Sequence, residues 1–340
     1  MFIHMFKYCL ELGHAMLFIT NRIPKQGMKS TAGRDFEFDP ENNNVANSVF
    51  YCKINKRGRA TEIMSDTFLA KVRDSGYEQV LLYCHGFSNM PEDVFKRART
   101  LQSLFNSKQS NHVLVIPMIW PCDNDLGVLK DYWDDQRAAD SSASAFARVF
   151  DRFLVWQGSL ESKTNGEPCQ MRMNILAHSM GARVYRGALA NWEKNSLKDG
   201  VPYLFRNSFL MAADVVNETL EKGKSGEFIT QASKNVVVYH ASDDLALRAS
   251  KAANLKNGVA SRRLGHTGPE NMRKVPKNVF TIDCDEVNSV YDHPKGHSYF
   301  ASKKEGVEGG EVFKHMRQCI KAGRVFPNDE SKKSTILYPA

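Results

Sequence analysis

The stretch Met173-Asn-Ile-Leu-Ala-His-Ser-Met-Gly-Ala-Arg-Val-Tyr185 decides how the rest of the chain is read. An apolar, strand-like run ends at Ala177. From about Met180 onward Val184, Ala188, Leu189 and Trp192 recur at helical spacing. Ser179 therefore stands on a strand-to-helix turn, with Ala177 two residues before it and Gly181 two residues after. Small neighbours at both positions let a serine take a strained backbone conformation and project its Oγ above the sheet edge. The helix N-terminus adds free N–H groups and a positive dipole end beside the hydroxyl. A capping serine is the bland reading. The strand before, the amphipathic helix after and the position near mid-chain favour a nucleophile.

Working outward, a nucleophilic serine needs two N–H donors for the developing oxyanion. Met180, the next residue, supplies one. The other is expected from the turn after Val80-Leu-Leu-Tyr-Cys84, where His85-Gly86-Phe87 precedes a helix opened by Pro91. Gly86 permits the sharp turn and Phe87 N–H is the expected donor. Asn89 or Ser88 is the expected cap of that helix. Strand-like runs cover 16–21, 48–54, 79–84, 112–120, 171–177, 208–213, 235–240 and 278–282. Several are continuously apolar, as strands buried on both faces are. Helical stripes lie between them, at 94–105, 144–154, 184–192 and 312–320. This order predicts an α/β fold with a mostly parallel central sheet and helices on both faces.

These motifs resemble the α/β-hydrolase superfamily. More narrowly, the chain is similar to a bacterial family of serine α/β hydrolases carrying a domain of unknown function. The resemblance rests on His85-Gly-Phe87, Trp120-Pro121, Tyr132-x-x-Asp135 and Ala177-His-Ser-Met-Gly181. It continues through Ser242-Asp-Asp-Leu-Ala-Leu247, Arg263-Leu-Gly265 and Gly296-His-Ser-Tyr-Phe300, and covers 79–300. It implies a Ser–His–acid triad in which the acid and then the histidine follow the serine. The histidines in range are His240, His266, His293, His297 and His315. His297 matches the family pattern, and His293 shares its loop. Asp244 matches the family position for the acid. Asp214 and Asp243 are the alternatives, the latter also a candidate helix cap. The implied chemistry is acyl transfer through an acyl-enzyme, without metal or organic cofactor. The expected substrate is a small-molecule carboxylic ester, with amides and thioesters in reach. An acyltransferase on the same residues, or a non-catalytic binding module, is the alternative. The segment 122–137 is either a pocket cover or a packed connection.

Composition sets the outer bounds. Hydrophobic residues at 42% and charged residues at 25% exclude collagenous and wholly disordered chains. The 340 residues divide into an N-terminal extension with first strands (1–77), a core (78–323) and a loose tail (324–340). The net charge of +8 comes from scattered clusters without interleaved aromatics, including Arg262 and Arg263. Solvated surface is the reading of each, and no nucleic-acid partner is expected. The seven cysteines (Cys9, Cys52, Cys84, Cys122, Cys169, Cys284 and Cys319) are widely spaced, so buried thiols in a reducing, cytoplasmic setting are expected. Lys7 and Glu11 interrupt the apolar N-terminal run, so neither a signal peptide nor a membrane span is expected. Residues 1–15 read as an addition before the first strand. The oligomeric state is left open.

Overall fold

A computed structural model describes residues 15–106, 112–123, 128–159, 171–197, 200–255, 261–304, 308–327 and 333–339. The continuous apolar runs form the middle of one ten-stranded sheet. Every residue of β4 (Gln79–Cys84) and β5 (Val113–Ile119) is buried. So is every residue but the first of β6 (Arg172–His178). β7 (Phe205–Met211) and β8 (Ser233–His240) follow, then β9 (Val279–Asp283). β1 (Met16–Arg22), β2 (Val45–Ile54) and β3 (Ala60–Ile63) complete one side and β12 (Ser334–Ile336) the other, in the order β12-β9-β8-β7-β6-β4-β5-β1-β2-β3. All neighbours from β12 to β1 pair in parallel; β2 runs antiparallel to β1 and to β3, so it alone opposes the other strands. A separate two-stranded ribbon joins β10 (Ser302–Lys304) to β11 (Glu308–Gly309).

Helices cover both faces. On one lie α1 (Ser65–Arg73), α3 (Val128–Gly158) and α4 (Gly181–Ser196), which bury Phe68, Phe146, Phe150, Leu189 and Trp192. α5 (Glu227–Gln231) adds Ile229 to that core. α6 (Leu245–Leu255), α7 (Leu264–Thr267) and α8 (Asn288–Tyr291) follow the C-terminal ends of the later strands. On the opposite face α2 (Pro91–Phe105) and α9 (Glu311–Ala322) bury Val94, Leu101, Val312 and Met316. Alternate strand residues feed the two cores, as a sheet covered on both sides requires.

Four buried amides cross the central strands in a row. Asn174 Nδ2 donates to Gln79 Oε1 at 3.1 Å, Asn207 Nδ2 to Asn174 Oδ1 at 2.7 Å, and Asn235 Nδ2 to Asn207 Oδ1 at 2.8 Å. Gln79, Asn174 and Asn207 each both give and receive, Gln79 giving to Ile320 O, so β4, β6, β7 and β8 are locked in one register by side chains as well as backbone.

Several expectations need correction. Neither Ser88 nor Asn89 caps α2; Met90 holds the cap position without a side-chain bond, because Asn89 is turned back toward the preceding loop. The third helix starts at Val128, well before 144, so much of the 122–137 segment is helical. Arg263 is not solvated surface: it is 4% exposed and ion-paired with Asp214. Within 324–340, read as loose, Ser334–Ile336 pairs in parallel with β9. β3 was not foreseen, since Ala60-Thr-Glu-Ile63 is short and polar and lies at the sheet edge. The five described cysteines are buried and unpaired; Cys9 and Cys169 lie outside the described residues.

The amide row yields a stability prediction. Asn207→Leu leaves Asn174 Oδ1 without its donor and costs about 1–3 kcal/mol. Urea unfolding checks it: the midpoint falls while the slope holds.

Candidate active site

The site is built where β6 ends. Ser179 takes φ = 52°, a left-handed conformation that a non-glycine residue adopts only when its surroundings impose it. Its N–H donates to Met211 O at 2.9 Å, and its carbonyl accepts from Asp214 N–H at 3.0 Å and Ala182 N–H at 3.0 Å. α4 then starts at Gly181. A Cβ there would lie 2.5 Å from the carbonyl oxygens of both Cys84 and His85, so only glycine lets the helix start this close to β4. A Cβ on Gly86 would lie 2.9 Å from Ser179 Cβ. The turn after β4 and the turn after β6 are thus in direct contact.

The first of these turns is braced from several sides. His85 Nδ1–H donates to Gly86 O at 2.9 Å, and His85 Nε2 accepts Trp120 N–H at 3.1 Å. The His85 and Trp120 rings stack at 5.1 Å, and Trp120 Nε1–H donates to His85 O at 2.9 Å. Burial pushes the His85 pKa down to about 4, so the ring is neutral and both nitrogens are committed. Asn89 Nδ2 donates to Gly86 O and Phe87 O. Asp135 accepts Ser88 N–H at 3.0 Å and Asp123 N–H at 3.2 Å; burial raises its pKa to about 7. Among the described residues neither Phe87 N–H nor Met180 N–H has an acceptor. Both expected oxyanion donors are therefore available.

His297 lies in the loop between α8 and β10. Its Nδ1 donates to Asp244 Oδ2 at 2.7 Å. Asp244 is fully buried at the start of α6, and its Oδ1 accepts Leu247 N–H at 3.0 Å. Asp244 is therefore the helix cap, a role expected of Asp243. Asp243 instead accepts from Asn288 Nδ2. Asp214 is occupied elsewhere: Tyr132 Oη donates to it at 2.8 Å, Ser250 Oγ at 2.5 Å, and Arg263 Nε stands 3.3 Å away. The fold thus brings Asp244, not Asp214 or Asp243, to His297. His293 is exposed, and His315 is held by Tyr239 Oη and Phe326 O.

Burial opposes a charge on His297, but the charge of Asp244 and its hydrogen bond outweigh that and raise the imidazole pKa above its ordinary value. His297 Nε2 has no hydrogen-bond partner among the described residues, nor does Ser179 Oγ. Such bonds commonly close only when substrate is bound. The helical segment expected either to cover a pocket or to pack does the second beside the site: Tyr132 meets Phe87 edge-on at 5.7 Å. Sequence reasoning missed His178, Asp292 and Ser250, whose contacts come from loops that no local pattern predicts. Among the described residues no group of three or more His, Cys, Asp or Glu side chains is arranged to hold a metal ion, and no helix is long and apolar enough to cross a membrane.

A family model described as "Alpha/beta hydrolase of unknown function (DUF900)" matches residues 61–309, well over half of the chain. The chain belongs to this family of α/β hydrolases. Neither the curated proteins nor the solved structures gave a match.

The raised pKa of His297 gives a signed prediction. With His297 as the expected base of Ser179, only the unprotonated imidazole is active, so the rate of fluorophosphonate labelling is expected to rise with pH, with its inflection above 6.5. In Asp244→Asn the largest opposing charge is gone, with Asp214 and Asp292 still favouring the charged ring, so the inflection moves below that of the wild type. Labelling rates across pH for the two proteins check this.

Proposed function

We propose that this α/β hydrolase cleaves carboxylic esters, with amides and thioesters as related substrates, through Ser179, His297 and Asp244. Ser179 Oγ attacks the carbonyl carbon while His297 Nε2 takes its proton. Asp244 holds the imidazole in the Nδ1–H tautomer and stabilises the imidazolium. The carbonyl oxygen, now negative, accepts from Phe87 N–H and Met180 N–H, each worth roughly 3–4 kcal/mol in such sites. Collapse of the tetrahedral species breaks the ester C–O bond, and the alcohol leaves with the proton from His297. Water then adds to the acyl-enzyme, giving its proton to His297, and the acid departs as Ser179 recovers its hydrogen.

The observation that carries this reading is Ser179 held at φ = 52° at the head of α4, with a partly buried imidazole 2.7 Å from a buried carboxylate on the neighbouring loops. The strained turn has no structural purpose that a glycine would not serve better. It supports a nucleophile over a cap, because α4 takes no side-chain cap bond from this turn.

The direct test is labelling by a fluorophosphonate with peptide mapping, beside hydrolysis of a panel of p-nitrophenyl esters. The adduct maps to Ser179, and Ser179→Ala abolishes both labelling and turnover. Asp244→Asn, with the tautomer lost, lowers kcat by about 10⁴-fold. Undiminished turnover in Ser179→Ala contradicts the proposal.

A further inference from the structure

The residue before the nucleophile has no part in the chemistry above, yet it meets both the His297 loop and the turn at Gly86. His178 is the last residue of β6 and is buried. Strand alternation turns it to the face opposite Ala177, where its ring lies 4.9 Å from that of Phe300 and 4.9 Å from that of His297. Its Nε2 stands 3.2 Å from His297 O, and since a carbonyl only accepts, Nε2 carries the proton. Its Nδ1 would lie 3.0 Å from a Cβ on Gly86, so the ring also abuts the oxyanion turn.

The backbone it grips is held by side chains throughout. Gly296 O accepts from Asn288 Nδ2 at 3.1 Å. His297 N–H and Ser298 N–H both donate to Asp292 Oδ2, at 2.8 and 2.6 Å. His297 O accepts from His178, and Ser298 O from Arg97 Nη1 at 3.4 Å. Of these anchors only His178 is bonded in sequence to Ser179. A shift of the base loop is therefore felt at the nucleophile through one ring and one peptide unit. The ring also suits the charge that forms beside it. Burial, reinforced by its neighbour His297, holds the His178 pKa well below the ordinary value, so His178 stays neutral when His297 takes a proton.

We propose that His178 is a positioning residue that registers the His297 loop against Ser179 and the oxyanion turn by donating its Nε2–H to the His297 carbonyl. The inference rests on the hydrolytic reading for its kinetic consequence, though not for its geometric one. Imprecision of this kind lowers turnover more than binding, because the reacting atoms lose alignment while the substrate contacts stay.

The test compares His178→Phe, which keeps a ring but has no donor, with His178→Gln, which restores an N–H. With a p-nitrophenyl ester, Phe lowers kcat about tenfold with KM unchanged, the loss of one hydrogen bond of ordinary strength, and Gln recovers most of that loss. The second readout is the proton NMR signal of the His297 Nδ1–H bonded to Asp244. It stays sharp in wild type and Gln and broadens by exchange in Phe. Should Phe fail to fold by circular dichroism, His178→Leu takes its place. Wild-type kcat and a sharp signal in the donorless variant overturn the proposal, as does a folded Gln variant no better than Phe. Absence of turnover and labelling in the wild type defeats the hydrolytic reading instead, and the NMR comparison still decides whether His178 positions His297.

Discussion

The close approach of two turns at the C-terminal edge of the sheet governs the rest of the site. β4 and β6 are adjacent and parallel, so their ends emerge side by side. The start of α4 passes so near the end of β4 that Gly181 has no room for a Cβ beside the Cys84 and His85 carbonyls. Ser179 is driven into its left-handed conformation there, and the His85–Ser88 turn is pressed against it. Trp120 just after β5, Asn89 in the loop before α2 and Asp135 on α3 then brace that turn. One packing constraint thus presents the hydroxyl and leaves two backbone N–H groups without acceptors among the described residues.

Electrostatics follows the same economy. Two buried carboxylates stand at the ends of neighbouring strands and are assigned different tasks by their partners. Asp214, after β7, is absorbed by Tyr132, Ser250 and Arg263. Asp244, after β8, spends one oxygen on the first turn of α6 and the other on His297. A buried carboxylate with both oxygens committed is held in one orientation, and so is the imidazole it receives. The same bond makes His297 more basic than its burial would allow.

Much of this was legible in the sequence, and the reason is physical. Continuous apolar runs such as Val80-Leu-Leu-Tyr-Cys84 admit few placements other than the centre of a covered sheet, and small residues around Ser179 reveal a turn with no spare volume. Trp120, Tyr132 and Asp135 could be singled out by resemblance, but not what they bond to. What stayed hidden were pairings set by distant loops. Resemblance alone separated Asp244 from Asp243 as the acid; that Asp244 also caps α6 while Asp243 meets Asn288 could not be read, and Arg263 resembles surface charge until Asp214 is brought beside it. Polar edge elements such as Ala60–Ile63 and Ser334–Ile336 lack the apolar pattern, since one neighbouring strand and backbone hydrogen bonds define them.

The central claim is that Ser179 is acylated, and intact-protein mass spectrometry tests it most directly. The wild-type protein is mixed with a p-nitrophenyl ester and quenched in acid within the first turnovers, before water releases the acyl group, and the adduct is located by peptide mapping. The account predicts a mass increase of one acyl group, carried by Ser179 and absent in Ser179→Ala. An acyl group mapped to another residue, or one that persists in Ser179→Ala, contradicts it.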